Sequence, residues 1–405
     1  MTGPMNDIKT LKSKVQKDLF TNIIPFWLSN TIDIENGGFY GRIANNLVPE
    51  PNAPKSLILH TRVLWSFAFL YGYKNDPAYL DIADRAYNFL IERFMDNVNG
   101  GMFWLLDVKG NPLETYKKMY GQAFTIYAFS EYYKITKNED VLNKAIEIFR
   151  LIEKNNYDPI HKGYYEGSSR EWKVDKNISL SAVDMNEVKS MNTHLHIMEA
   201  YTTLYSVWPD ATLKGKLIEL IHLHLDHIIS PETNHLKLFF DEAWCSKSKN
   251  ISFGHDIEAS WLLCEAAKII NDPVIDSKIE KVAIDMVKVI IKDGFDQKDA
   301  IYGARESDGT VHTQLEWWQQ AEAMVGFVNA WQITGDEDYL NWTVRMWTVI
   351  EKYIIDHKDG EWFYGVASNG DYDHTKFKVS EWKGPYHNVR ACVEVLRRLP
   401  KEIDL

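Results

Sequence analysis

Residues 37–42 read Gly-Gly-Phe-Tyr-Gly-Arg, turn residues followed by alternating aromatic and polar positions. Segments of the same make return at 100–107 (GGMFWLLD), 163–172 (GYYEGSSREW), 235–244 (HLKLFFDEAW), 301–309 (IYGARESDG) and 362–371 (WFYGVASNGD). Such alternation bounded by Gly, Asn and Asp predicts short β-hairpins or extended loops. Six of them, roughly 60 to 75 residues apart, predict a repeat architecture.

Between these segments the apolar spacing is helical. Over 77–95, Tyr79, Ile82, Ala83, Ala86, Tyr87 and Leu90 fall at steps of three and four. Asp76-Pro77 supplies an N-cap followed by proline at the first helical position. The stretches 9–28, 138–152, 212–229, 272–291 and 336–355 read the same way. A second kind of helix follows each hairpin, at 59–73, 120–136, 188–207, 255–271, 315–334 and 385–399. These carry small and apolar residues all round, as at Ala259, Ala266, Ala267, Ala321, Ala323 and Gly326, which predicts an inner ring buried on both sides. Twelve helices in six pairs, with no Pro/Gly/Ser-rich linker, predict an all-α fold. The expectation is one (α/α)6 barrel domain over 1–405, with hairpin loops at one face and 1–8 a flexible N-terminus. An open helical solenoid is the alternative.

Composition narrows the function. The chain of 405 residues is 45% hydrophobic and 25% charged, as a soluble globular protein is. A net charge of −12 without any basic stripe argues against nucleic acid and against an anionic membrane surface. No apolar run approaches the roughly 18 residues of a membrane span, and the N-terminus carries no apolar leader. Cys245, Cys264 and Cys392 are odd in number and far apart, which suits buried thiols and a cytoplasmic location. Aromatic residues make up 13% of the chain, which fits either a sugar-handling cleft or a large core.

The unusual polar residues sit near the N-terminal ends of the inner helices. They are Arg62; Tyr120 and Gln122; Asn192, His194 and His196; His255 and Glu258; Trp317 and Trp318; and His387. Parallel inner helices would bring these ends to one mouth. Plainer roles compete at each position. His255 and Glu258, at i and i+3, could cap and pair, and Trp317 or Trp318 could be core. His194 and His196, at i and i+2, point apart on a helix and make a poor zinc pair. His222, His224 and His227 read as a solvated outer face. An exposed His387 at a helix N-terminus would be kept neutral by the helix dipole, and so able to act as a base. Nucleotide-binding and nucleophile-elbow motifs are absent from the sequence, which leaves cofactor-free acid–base chemistry as the expectation.

Five motifs complete the reading: YGQAF at 120–124, MNTHLH at 191–196, GHDIEASW at 254–261, EWWQQAE at 316–322 and EWKGPYHN at 381–388. Together they resemble the cellobiose 2-epimerases, within the wider N-acylglucosamine 2-epimerase superfamily, over nearly the whole chain. The resemblance implies an (α/α)6 barrel and reversible C2 epimerisation of the reducing-end glucose of β-1,4-linked disaccharides, cellobiose or lactose, through a cis-enediolate. It implies His255 and His387 as the acid/base pair, with Arg62 and Glu258 in the catalytic group. Asn192 and His196 would help hold the reacting sugar, Trp318 and Trp382 would stack on sugars, and Tyr120 and Asp184 would line the pocket. No metal or cofactor is implied, and a monomer or homodimer is expected. An aldose–ketose isomerase or an N-acylglucosamine- or mannose-acting enzyme of the same superfamily is the nearest alternative. An inverting glycoside hydrolase on the same toroid, using carboxylates such as Glu258, Glu316 and Asp184, is the second.

Overall fold

In the computed structural model, which describes residues 4–181, 184–296, 299–367 and 371–400, the helical spacing becomes twelve helical segments among the described residues. They are α1 (4–30), α2 (Leu57–Tyr73), α3 (77–94), α4 (Met119–Thr136), α5 (Glu139–Asn155), α6 (Met191–Val207), α7 (211–228), α8 (Phe253–Ile270), α9 (Pro273–Asp293), α10 (Trp317–Thr334), α11 (337–354) and α12 (Tyr386–Arg398). Helix α1 starts at Pro4, within the stretch 1–8 read as a flexible N-terminus; residues 1–3 of that stretch lie outside the described part.

Local chemistry sets the boundaries. Helices α3, α5, α7, α9 and α11 each open on a side chain that accepts first-turn N–H groups: Asp76, Asn138, Asp210, Asp272 and Asp336. Each such cap is worth about 1 kcal/mol. Just upstream, α4, α8 and α10 stop at residues in left-handed conformation, Lys137, Asn271 and Gly335. Helices α3, α7 and α11 end in a π-helical turn, after which the chain becomes extended and enters a hairpin.

The even-numbered helices are buried on nearly every side; α2 is buried without a break from Leu57 to Leu70. Each packs against the next even-numbered helix, and α12 returns to α2, so the ring closes. That contact decides for a barrel and against an open solenoid. The odd-numbered helices form the outer layer, burying one stripe each, as α5 does with Val141, Ala145, Ile148, Phe149 and Ile152. Among the described residues no helix is long and apolar enough to cross a membrane.

The predicted hairpins form, one per repeat, closed by bridges such as Met95 to Met102, Tyr157 to Tyr164 and Ile355 to Trp362. Two-residue strands tie each repeat to the next. Lys55–Ser56 pairs antiparallel with Leu105–Leu106, Lys117–Lys118 with Gly167–Ser168, and Lys189–Ser190 with Phe239–Phe240. A bridge between Ile43 and Val379 closes this loop face as well.

One turn into five of the six inner helices, a polar side chain anchors a hairpin amide. The Phe39 amide donates to His60 Nε2 at 3.3 Å, and the Tyr164 amide donates to His194 Nε2 at 2.8 Å. Gln122 and Gln320 accept the Met102 and Ile301 amides at 2.9 and 3.1 Å and donate back to the same residues' carbonyls. Asp256 accepts the Leu236 amide at 2.8 Å. Gln122 and His194 therefore serve the scaffold. Buried ion pairs reinforce four of the hairpins: Lys55 with Asp33 at 2.7 Å, Lys117 with Asp96 at 3.1 Å, Lys189 with Asp158 at 2.8 Å, and Lys378 with Asp356.

Two expectations need correction. His224 is fully buried, its Nδ1 donating to the Leu220 carbonyl at 2.8 Å, so it is not part of a solvated face. It continues, at ordinary helical spacing, the buried stripe of Leu213, Leu217, Leu220 and Ile221. Cys264 and Cys392 are buried, but Cys245 is exposed because it sits in a hairpin tip.

Both anchoring histidines must stay neutral to accept an amide proton. Burial pulls His60 and His194 down to about 3, against about 6.5 in an unfolded chain. Their stabilising contribution is complete above about pH 6.5 and is lost as pH falls towards 3, because the unfolded state then binds the extra protons. Glutamine does the same job in two other repeats. His194→Gln is therefore expected to lose less of its urea-unfolding midpoint than the parent between about pH 7 and pH 5; equal losses would contradict this account.

Candidate active site

The N-terminal ends of the inner helices open onto one cleft of about 200 Å³. Its walls include all ten residues to which the resemblance gives a role: Arg62, Tyr120, Asp184, Asn192, His196, His255, Glu258, Trp318, Trp382 and His387. Leu180, Ser181, Trp317 and Tyr364 complete the lining. Glu316, a candidate carboxylate for a hydrolase, is not among them; it accepts the Trp318 indole N–H at 2.7 Å.

The repeat explains the convergence. Two residues past the five anchors stand Arg62, Phe124, His196, Glu258 and Glu322, and Arg390 stands two past Asn388, whose side-chain amide donates to Glu361 of the last hairpin at 2.7 Å. The Arg62 guanidinium lies 4.9 Å from the Phe124 ring, and that ring lies 5.0 Å from His196. Arg390 Nη2 donates to Glu258 Oε1 at 2.6 Å and to Glu322 Oε1 at 2.7 Å. Arg390 Nη1 donates to Glu199 and to the Tyr386 hydroxyl. Glu199 Oε2 in turn holds His196 Nδ1 at 2.8 Å.

The two histidines are held differently. His387 Nδ1 donates to Glu322 Oε1 at 2.7 Å, and Glu322 Oε2 accepts the Trp261 indole N–H at 3.1 Å. His255 Nδ1 lies 2.6 Å from the Ser252 hydroxyl. Trp318 touches both imidazoles, with ring centroids 4.8 Å from His255 and 5.7 Å from His387. Gly254 permits this: a Cβ there would stand 2.6 Å from the Trp318 ring. Arg62 Nη1 donates to the Trp382 carbonyl at 2.6 Å and Nη2 to the Tyr120 hydroxyl at 3.1 Å. Arg62 Nε and Asn192 Oδ1 are buried without a partner among the described residues, which leaves polar capacity for a polar ligand.

Burial, then the neighbouring His196, pulls His255 down to about 3. Burial, then the Arg62 and Arg390 cations, holds His387 well below its ordinary value. His387 is thus neutral as expected, but it is 5% exposed and not open to solvent, and burial and cations depress it. Burial and the Glu322 charge push Glu258 up to about 7. Burial would also raise Glu199, but Arg390 and the bonds from His196 and Tyr386 outweigh it.

Glu258, Glu322 and His387 offer donor atoms within 4.8 Å of one another, a spacing that could hold a cation. The Arg390 guanidinium already supplies positive charge to both carboxylates there. His255 and Glu258 do not pair with each other: Glu258 is spent on Arg390, whereas His255 turns to Ser252. Sequence reading missed Glu322, Glu199, Arg390 and Ser252 as parts of the site. Superposing the six repeats would have found two of them, since Glu322 and Arg390 occupy the same helical position as Arg62 and Glu258.

Removing Arg390 strands buried carboxylates. Arg390→Met is expected to cost about 3–5 kcal/mol of unfolding free energy in a denaturant titration, and a loss below about 1 kcal/mol would contradict the charge balance described.

Residues 38–391 match the N-acylglucosamine 2-epimerase (GlcNAc 2-epimerase) family. A cellobiose 2-epimerase of Bacteroides fragilis is 40% identical over 390 residues, covering 95% of this chain and 98% of the relative. One from Dictyoglomus turgidum is 37% identical, covering 97% and 100%. The solved cellobiose 2-epimerase of Bacillus thermoamylovorans B4167 superposes with a TM-score of 0.92 at 37% identity, over 96% of this chain and 100% of its own. A closed double ring of helices, a histidine-lined cleft at its mouth and likeness along nearly the full length lead to one conclusion: the chain belongs to the N-acylglucosamine 2-epimerase family and is an isomerase-class carbohydrate enzyme similar to the cellobiose 2-epimerases.

Proposed function

We propose that this chain reversibly epimerises the reducing-end glucose of β-1,4-linked disaccharides, cellobiose and lactose among them, at C2. The observation that carries the reading is a pair of neutral histidines on one tryptophan, His387 backed by a carboxylate and His255 by a hydroxyl. Neutral imidazoles can move protons at neutral pH without a cofactor.

C2 becomes acidic only when the ring opens and C1 is a free aldehyde. His387 Nε2 then takes the C2 proton. The C2–H electron pair enters the C1–C2 bond, and the carbonyl pair moves onto O1. Glu322 stabilises the imidazolium that forms, as a carboxylate on Nδ1–H does. Arg62 supplies hydrogen bonds to the enediolate oxygens, worth a few kcal/mol in a desolvated site. Return of a proton to the opposite face of C2 gives the mannose-type sugar. Either His255 delivers its Nε2 proton and regains one from the His387 imidazolium by way of water, or His387 returns the proton after rotation about C2–C3. Return to C1 would give the ketose, so slow isomerisation is an expected side reaction.

The remaining cleft residues position the sugar. Trp318 and Trp382 offer stacking faces, and Tyr120, Asp184, Asn192 and His196 offer polar contacts. Glu258, raised to about 7, holds or releases a proton beside His387 and Arg390. The whole chain acts as one catalytic domain, and its buried thiols suit the cytoplasm.

Incubation with cellobiose and with lactose, without added metal or nucleotide, tests this directly. A mannose-type reducing end is expected, and His387→Ala, still folded by circular dichroism, should lose at least about 10²-fold in rate. Release of free glucose, unchanged disaccharide, or a loss below about tenfold in the variant would contradict the assignment.

A further inference from the structure

Three inner helices start on a serine, and they use it differently. Before α2, the Ser56 hydroxyl accepts the Leu59 amide at 3.0 Å. Before α6, the Ser190 hydroxyl accepts the Thr193 amide at 3.1 Å. Both are ordinary N-caps, which satisfy an otherwise orphaned first-turn donor. Ser252 holds the same place before α8 but makes no capping bond. Its hydroxyl lies instead 2.6 Å from Nδ1 of His255, which occupies the helix position of Leu59 and Thr193. The helix has given up a cap to hold an imidazole.

The hydroxyl has a proton to place. Among the described residues Nδ1 of His255 is the acceptor within reach of the Ser252 oxygen. With Oγ–H donating, Nδ1 is the bare nitrogen and the ring's proton lies on Nε2, on the edge away from Ser252. His387 is the mirror case: a carboxylate only accepts, so its Nδ1 carries the proton and its Nε2 is bare. The cleft therefore presents one acceptor and one donor imidazole.

We infer that Ser252 is a positioning residue that holds His255 in the Nε2–H tautomer, so that His255 meets the sugar as a hydrogen-bond donor. This rests on the C2-epimerase reading only for what the donor faces, an oxygen that gains charge as C2 loses its proton. The tautomer itself can be read without turnover.

The full-length chain with 15N-labelled imidazoles, studied by long-range 1H–15N NMR near neutral pH, tests the inference; His255→Gln identifies the His255 signals by their loss. The expected pattern is a bare Nδ1 and a protonated Nε2 for His255, collapsing to a tautomer mixture in Ser252→Ala and restored in Ser252→Thr. In parallel, Ser252→Ala should lower kcat on cellobiose about tenfold with KM within about twofold, and Ser252→Thr should recover most of it. A protonated Nδ1 on His255 in the parent protein overturns the inference without any variant. So does a His255 pattern and kcat unchanged by Ser252→Ala. A parent chain that shows the expected tautomer but turns over no disaccharide would overturn the proposed reaction and leave the role of Ser252 standing.

Discussion

The site depends on one buried guanidinium. Arg390 is 1% exposed and faces three carboxylates, Glu199, Glu258 and Glu322. Burying a carboxylate is expensive unless charge and hydrogen bonds meet it. One cation shared by three anions leaves the cluster short of positive charge, so part of it must hold protons. Burial, then the Glu322 charge, raises Glu258 to about 7, while Glu199, with Arg390, His196 and Tyr386 on it, is held low. Glu322 belongs to the same cluster and also backs His387. The electrostatics of the base are thus set through Arg390, which need not touch the sugar.

Closure of the ring makes such a cluster possible. Arg390 bonds to Glu258 across 132 positions of sequence and to Glu199 across 191. The first pairing follows from repeat geometry, since equivalent positions on six inner helices face one axis at one depth; Glu199 lies one turn beyond His196, the residue at that depth in its own helix. The hairpin anchors fix that depth by tying five of the six inner helices, one turn in, to the loop beside them. Groups carried on packed helices hold their geometry better than groups on loops. Here the helices are also clamped by buried lysine–aspartate pairs.

Much of this was legible in the sequence because it rests on local rules. Asp76-Pro77 and Asp336 announce helix starts through capping chemistry, and the boundaries predicted at 336–355 and 138–152 fall within a few residues of those observed. The mouth residues were legible because polar groups at the ends of otherwise apolar helices stand out. What stayed hidden acts through partners distant in the chain. Glu322 lay inside a quoted motif, yet only Arg390 and His387 give it a role. Ser252 looks like any N-cap serine until Ser56 and Ser190 are set beside it. His194 and Gln122 erred the other way: they stand out as polar residues but are spent on hairpin amides.

The central claim is that the cleft removes and returns the proton at C2. It is tested most directly by taking cellobiose to equilibrium with the protein in deuterated buffer and reading C2 of both sugars by proton NMR. Many turnovers at equilibrium wash out any internal return of the same proton. The account predicts deuterium at C2 of the mannose-type product and of the recovered cellobiose, with the other carbon-bound positions of the reducing unit protonated apart from slow exchange at C1 through the ketose. A mannose-type product that keeps protium at C2 would contradict it.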